Sequence, residues 1–140
     1  MAVVVDTNIL ISGLISPHGP PGRIVDLILT DALKVAFDDR VLDEYLEVLS
    51  RPRFGFHIAQ IDALLDYPEM AGMRVIAGIL RPNPLPDPTD LPFIEVAVAC
   101  RAEALITGNA DHFECLKGYG VPVVAPRDFL GGLNAAFQLL

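Results

Sequence analysis

Val3-Val4-Val5-Asp6-Thr7-Asn8 is the stretch from which the fold of this chain can be read. Ala2 to Val5 is a short apolar run, mostly β-branched. It is too short for a helix and typical of a strand buried on both faces of a parallel sheet. The run passes directly into an acid followed by Thr and Asn, residue types that open helices. A strand that delivers an acid to a helix start is what an α/β domain places at its ligand-binding edge.

Outward from this stretch the elements alternate. Asn8 to Ile15 reads as a helix, stopped by a loop at Ser16-Pro17-His18-Gly19-Pro20-Pro21-Gly22. Arg23 to Thr30 reads as helical and Leu33 to Phe37 as a second strand. Asp38 or Asp39 caps a helix from Arg40 to Ser50 whose apolar face is Leu42, Tyr45, Leu46 and Leu49, and Pro52 ends it. Residues 58–79 read as a helical pair broken near Tyr67-Pro68, with Met73 to Ile79 as an alternative extra strand. A proline-pinned loop, Arg81 to Pro88, precedes a helix from Leu91 to Ala102 capped by Asp90. Ala104 to Thr107 is the third strand, Asp111 to Lys117 a short helix, Val121 to Val124 a fourth strand, and Pro126 to Gln138 a terminal helix. Pro122 suits an edge strand. The alternation predicts one α/β domain over residues 1–140, with helices on both faces of a parallel sheet of four or five strands.

Composition narrows the function. Of 140 residues, 52% are hydrophobic and 20% charged, which is a globular balance. A mean hydropathy of +0.45 points either to a generous core or to apolar surface covered by a partner, and the second is expected to contribute. The apolar N-terminal stretch is interrupted by Asp6, Thr7 and Asn8 and has no basic lead-in, against a signal peptide or membrane span. Cys100 and Cys115 have neither metal-ligand spacing nor a disulfide framework, so reduced thiols in a cytoplasmic protein are expected. The net charge of −8 opposes nucleic-acid binding by bulk electrostatics. Carboxylates that hold divalent cations would reconcile the two, because bound metal cancels their charge.

Acids do recur at the strand ends. The first strand leads into Asp6, the third into Gly108-Asn109-Ala110-Asp111, and Asp87-Pro88-Thr89-Asp90 opens the helix that feeds the third. Carboxylates converging on one sheet edge repel and raise one another's pKa, a cost that divalent cations remove. Mg²⁺ and Mn²⁺ prefer such oxygen ligands. Two ions held in this way can activate water and stabilise the oxygen that leaves in phosphodiester cleavage. Cys/His zinc spacing, a glycine-rich phosphate loop and a nucleophile elbow are all missing from the sequence.

Four segments in order resemble PIN-domain proteins: residues 4 to 12 (VVDTNILIS), 42 to 54 (LDEYLEVLSRPRF), 87 to 95 (DPTDLPFIE) and 105 to 113 (LITGNADHF). The resemblance is strongest to the toxin subgroup of bacterial toxin–antitoxin pairs. It implies a three-layer α/β/α fold and a Mg²⁺- or Mn²⁺-dependent endoribonuclease acting on single-stranded RNA. It also implies a homodimer and a cognate antitoxin whose segment occludes the acidic groove. Residue by residue, Asp6, Glu44 and Asp90 match the family's first three acids. At the fourth, Asn109 stands where the family often has Asp and can ligate a cation without charge; Asp111, two positions further on, supplies the missing carboxylate, or metal affinity is reduced.

Plainer roles compete at each position. Asp6 and Asp90 can be ordinary helix N-caps. Glu44 shares with Glu47 and Arg51 the helix face turned from the expected apolar stripe, as solvated residues do, and only the resemblance singles it out. Thr107, Asn109 and Asp111 can form a simple turn, and His112 and Phe113 read as capping and packing residues. Arg51 and Arg53, with Phe54, sit where phosphate and base contacts would fall, or are cations drawn to a helix C-terminus. Thr7, Asn8 and Thr107 complete the expected substrate contacts. The rival functions are a catalytically silent RNA- or protein-binding module and an Asp-nucleophile phosphatase. The phosphatase wants a second Asp where this chain has Asn8.

Overall fold

A computed structural model of the chain describes residues 2–138, with side chains described as far as residue 133. Strand β1 (Ala2–Val5) lies at the centre of a five-stranded sheet, with β2 (Lys34–Phe37) and β3 (Met73–Arg74) on one side. On its other side lie β4 (Leu105–Ile106) and β5 (Val123–Val124). The order is β3-β2-β1-β4-β5 and every pairing is parallel. Among the described residues six α-helices flank the sheet: α1 (Thr7–Ile15), α2 (Pro20–Leu29), α3 (Asp39–Leu49), α4 (Ile58–Ala71), α5 (Leu91–Ala99) and α6 (Pro126–Gln138). The expected α/β/α architecture is present, with five strands. Among the described residues no helix is long and apolar enough to cross a membrane.

The β-branched run behaves as its composition dictates. Val3, Val4 and Val5 are at most 1% exposed, because β1 is covered on both faces and paired on both edges. Its first half pairs with β2 (Ala2 with Lys34, Val3 with Val35) and its second with β4 (Val4 with Leu105, Val5 with Ile106). After β1 the chain turns to one side and only later crosses to the other. The carboxyl ends of β1 and β4 therefore flank a topological switch point, the crevice where open parallel sheets bind ligands.

Several boundaries differ from the sequence reading, each for a local reason. Pro20, Pro21 and Gly22 are not loop but the first turn of α2, where a missing amide hydrogen costs nothing. A Cβ at Gly22 would lie 2.1 Å from the Pro17 carbonyl oxygen, and one at Gly13 would lie 2.6 Å from Val25 Cγ2. Both glycines let α1 and α2 pack as a tight pair. Helix α4 runs unbroken through Pro68, which is buried with Leu64 and Leu65 so that packing offsets the lost hydrogen bond. The extra strand weighed for residues 73–79 is real but short, at Met73–Arg74.

The inward face of α3 is also rotated. Val41, Tyr45, Val48 and Leu49 are buried, whereas Leu42 is half-buried and Leu46 is 46% exposed. Helix α5 ends at Ala99 rather than Ala102, as Arg101 takes a left-handed conformation. The expected helix at 111–117 is a 3-10 run, Ala110–Tyr119, with non-helical backbone at Phe113.

Candidate active site

Asp6 sits at the N-cap position of α1 in extended backbone, but its side chain makes no capping hydrogen bond. Instead the Thr107 hydroxyl, just beyond β4, donates to Asp6 Oδ2 at 2.7 Å. Thr107 is 1% exposed and also accepts the Asn109 amide at 3.0 Å. It therefore holds Asp6 and is enclosed, rather than lying open to a substrate as expected. Asp6 itself is buried, and burial raises its carboxyl pKa more than Thr107 and the nearby amides of Thr7 and Asn8 lower it.

A cavity of about 470 Å³ opens above this pair, lined by Asp6, Thr7, Asn8, Glu44, Asp87 and Asp90, together with Arg51, Arg53, Phe54 and His112. Glu44 reaches it because the rotated buried face of α3 puts Val41 and Val48, one turn to either side, against the core. The residue is half-buried rather than solvated. Asp90 precedes α5 without capping it through its side chain. Its Oδ2 lies 3.6 Å from Nδ1 of His112, a residue of this pocket to which the sequence assigned no chemistry. The clue to His112 was its place in the segment that follows β4, the strand that pairs with β1 just before Asp6. Asp87 accepts both the Thr89 amide (2.9 Å) and hydroxyl (2.8 Å), which keeps its carboxyl below the usual range.

The remaining acids load one another. Asp90 is pushed up to about 6, first by burial and then by the charges of Asp6, Asp87 and Glu44, with His112 opposing. Glu44 is raised by burial and by Glu47, Asp6 and Asp87, with Arg51 opposing. Burial, and for Glu44 and Asp90 also like charge, raises these carboxyls, a cost that a bound cation removes. Thr7 lines the cavity, and its Oγ1 is buried without a hydrogen-bond partner among the described residues. Hard oxygen donors, mutual repulsion and an orphaned hydroxyl fit a divalent cation. Among the described residues, however, no three His, Cys, Asp or Glu side chains close around one point tightly enough to cage an ion. The donor set suits an ion that keeps part of its water, as Mg²⁺ does.

Two expected members lie elsewhere. Asn109 is exposed at the start of the 3-10 run and lines no part of this cavity. Asp111 lines a separate cavity of about 400 Å³ with Glu114 and Lys117. The 3-10 winding from Ala110 turns His112, not Asp111, toward Asp90.

Residues 2–111 match the family model described as the PIN domain, from β1 through the turn after β4. The chain belongs to the PIN domain family. It is also 31% identical over 113 residues to the uncharacterized protein MJ1680 of Methanocaldococcus jannaschii, covering 78% of this chain and 71% of that protein. PIN domains have a nuclease-type fold and typically use divalent metals. In this PIN domain the matched segment contains every acid of the cavity, while β5 and α6 lie beyond it.

Proposed function

We propose that this PIN domain is a Mg²⁺- or Mn²⁺-dependent endoribonuclease that cuts single-stranded RNA, and that it is the toxin of a toxin–antitoxin pair. The observation that carries the reading is the convergence of Asp6, Glu44 and Asp90, with raised carboxyl pKa values, on one cavity rimmed by Arg51 and Arg53. Asp6, Glu44 and Asp90 would hold the ions, with Asp87 adjacent, while Asn109 and Asp111 lie outside the cavity. Bound divalent ions supply charge neutralisation at the scissile phosphate and acidify water.

The chain's own residues do the positioning. Thr107 fixes the orientation of Asp6. The Thr89 amide and hydroxyl fix the orientation of Asp87 within its own loop, which lines the cavity. Arg51 and Arg53 offer guanidinium groups to flanking phosphates, which a protein of net charge −8 must present locally. Exposed Met70, Ile76, Ile79 and Leu85 leave apolar surface for protein contacts, in keeping with an antitoxin and a second copy as partners.

The test is RNA cleavage with Mg²⁺ or Mn²⁺, comparing the parent, chelator-treated protein and Asp6→Asn. Cleavage by the parent alone supports the reading; activity that survives both chelation and the substitution overturns it. A second reading, a silent RNA-binding module, is favoured by the lack of a tight ligand trio among the described residues. Protein that binds RNA but never cuts it with added Mn²⁺ would support that alternative.

A further inference from the structure

Beyond the carboxylates, the cavity has one wall that ion binding does not use. After α3 the chain makes a 3-10 turn at Pro52–Phe54, then reverses at Gly55, whose φ of 65° lies in the left-handed region. The reversal brings Phe56 back onto Phe54, with ring centroids 5.7 Å apart and planes only 11° from parallel. The Arg53 guanidinium lies over the Phe54 ring, its Cζ 4.7 Å from the centroid. Arg53 and Phe54 line the cavity, whereas Phe56 does not, so Phe56 backs the platform from behind.

The two arginines differ. Arg51 is engaged by Glu47, one helical turn earlier, at 2.8 Å. Among the described residues no carboxylate pairs with Arg53. Its flat cation is held by an aromatic ring at the edge of an acidic pocket. Phe54 and Phe56 also pack on the core, which keeps the platform rigid.

We propose that Arg53 and Phe54, backed by Phe56, form a stacking subsite for one unpaired nucleobase of the substrate, next to the carboxylate cavity. The inference rests on the nuclease reading of that cavity and adds how the strand is chosen. Aromatic rings and guanidinium planes both receive bases by stacking, with little regard to sequence. In a duplex each base face is covered by its neighbours, so only a single strand offers one to the platform. The subsite thereby selects single strands and sets the register of the chain relative to Asp6.

Full-length Asp6→Asn protein serves as the binding reagent, since replacing a carboxylate whose pKa burial already raises preserves shape without a buried charge. The probe is a short single-stranded RNA carrying one abasic residue, moved along the strand position by position, with affinity read by fluorescence anisotropy. One position weakens binding about tenfold, the size of a single lost base–aromatic stack. In Phe54→Leu, which keeps an apolar side chain at this half-buried position, the intact strand binds about tenfold more weakly and the abasic position no longer matters. Arg53→Lys loses part of the effect while leaving the salt dependence unchanged, because charge remains and the plane does not. No responsive position, or Phe54→Leu binding like its parent, overturns the subsite. A responsive position in a protein that never cuts RNA supports the subsite and counts against the nuclease reading. Cleavage with no responsive position overturns the subsite alone.

Discussion

Arg40, at the start of α3, reaches across to Glu95 in the middle of α5, with Nη1 2.6 Å from Oε1. Glu95 is 3% exposed, and its other oxygen accepts the Leu80 amide at 2.8 Å. Arg40 also holds Asp38, whose side chain caps α3 by accepting the Val41 amide. One buried carboxylate thus ties together the helix that carries Glu44, the helix that Asp90 precedes, and the segment leading to Asp87. The pair sets the spacing of the acids without touching the cavity.

The two halves of this pair carry unequal cost. Arg40→Met leaves Glu95 buried without its counter-charge and is expected to destabilise by about 3–5 kcal/mol. Glu95→Gln keeps an acceptor for Leu80 and leaves Arg40 half in solvent, so a loss of about 1–2 kcal/mol is expected. Urea denaturation measures both. Equal losses would mean that the pair behaves as an ordinary surface contact.

Thr107→Val removes the hydroxyl that favours ionised Asp6 while keeping its shape. The Asp6 pKa then rises further, and the acid limb of the pH–rate profile moves to higher pH, because a hydrogen bond that favours the ionised carboxylate is gone. A profile that only drops in height, with its limb in place, would assign Thr107 a role other than holding that proton equilibrium.

Asp90 predicts a pH-dependent stability of unusual sign. Its folded value of about 6 lies above the ordinary 3.8, so between those values the native state binds more protons than the unfolded chain. Its contribution is therefore best below about pH 4, declines as pH rises, and is fully unfavourable above about pH 6. Asp90→Asn should stabilise the metal-free protein by about 1–2 kcal/mol at pH 8, the shift being discounted for solvent screening of a partly exposed group, and by little at pH 4. Thermal melts in chelator give the answer, and a gain independent of pH would contradict it.

Magnesium should reverse that ranking. At a concentration one hundred times its Kd, an ion bound only by the native state adds about 2.7 kcal/mol. The parent is expected to gain in melting temperature with Mg²⁺, and Asp6→Asn and Asp90→Asn to gain much less. Equal gains in all three would place the ion away from this cavity.

The glycines separate close approach from mere looseness. Gly22→Ala and Gly13→Ala drive a methyl into Pro17 or into Val25 and Pro21, and losses of about 1–3 kcal/mol are expected. Gly131, in α6, has nothing within 4 Å of an added Cβ. Gly131→Ala should therefore stabilise by about 1 kcal/mol, the helix-propensity difference, in the same denaturation assay.

How much was readable in advance depended on the range of the interactions. Val3 to Val5 is a buried strand because β-branched residues without polar neighbours have few other ways to be satisfied, and Asp6 follows it by chain connectivity alone. The turn-level details needed neighbours. Pro68 looked like a break because a proline removes a helix hydrogen bond, but buried contacts with Leu64 and Leu65 carry α4 through it. Glu44 looked solvated because Leu42 and Leu46 seemed to mark the apolar face, and only packing shows that Val41 and Val48 lie inward instead.

By itself, then, the sequence determined the alternating α/β order, the parallel sheet with β1 buried, and the delivery of Asp6 and Asp90 to helix starts. These follow from local periodicity and from which side chains water rejects. Only the tertiary structure decided which groups stand around Asp6. It enclosed Thr107 as its holder, turned His112 toward Asp90, and sent Asp111 to another cavity. The reason is geometric: in a 3-10 run adjacent residues point about 120° apart, so the identity of the group facing the site depends on the phase at which packing starts the turn.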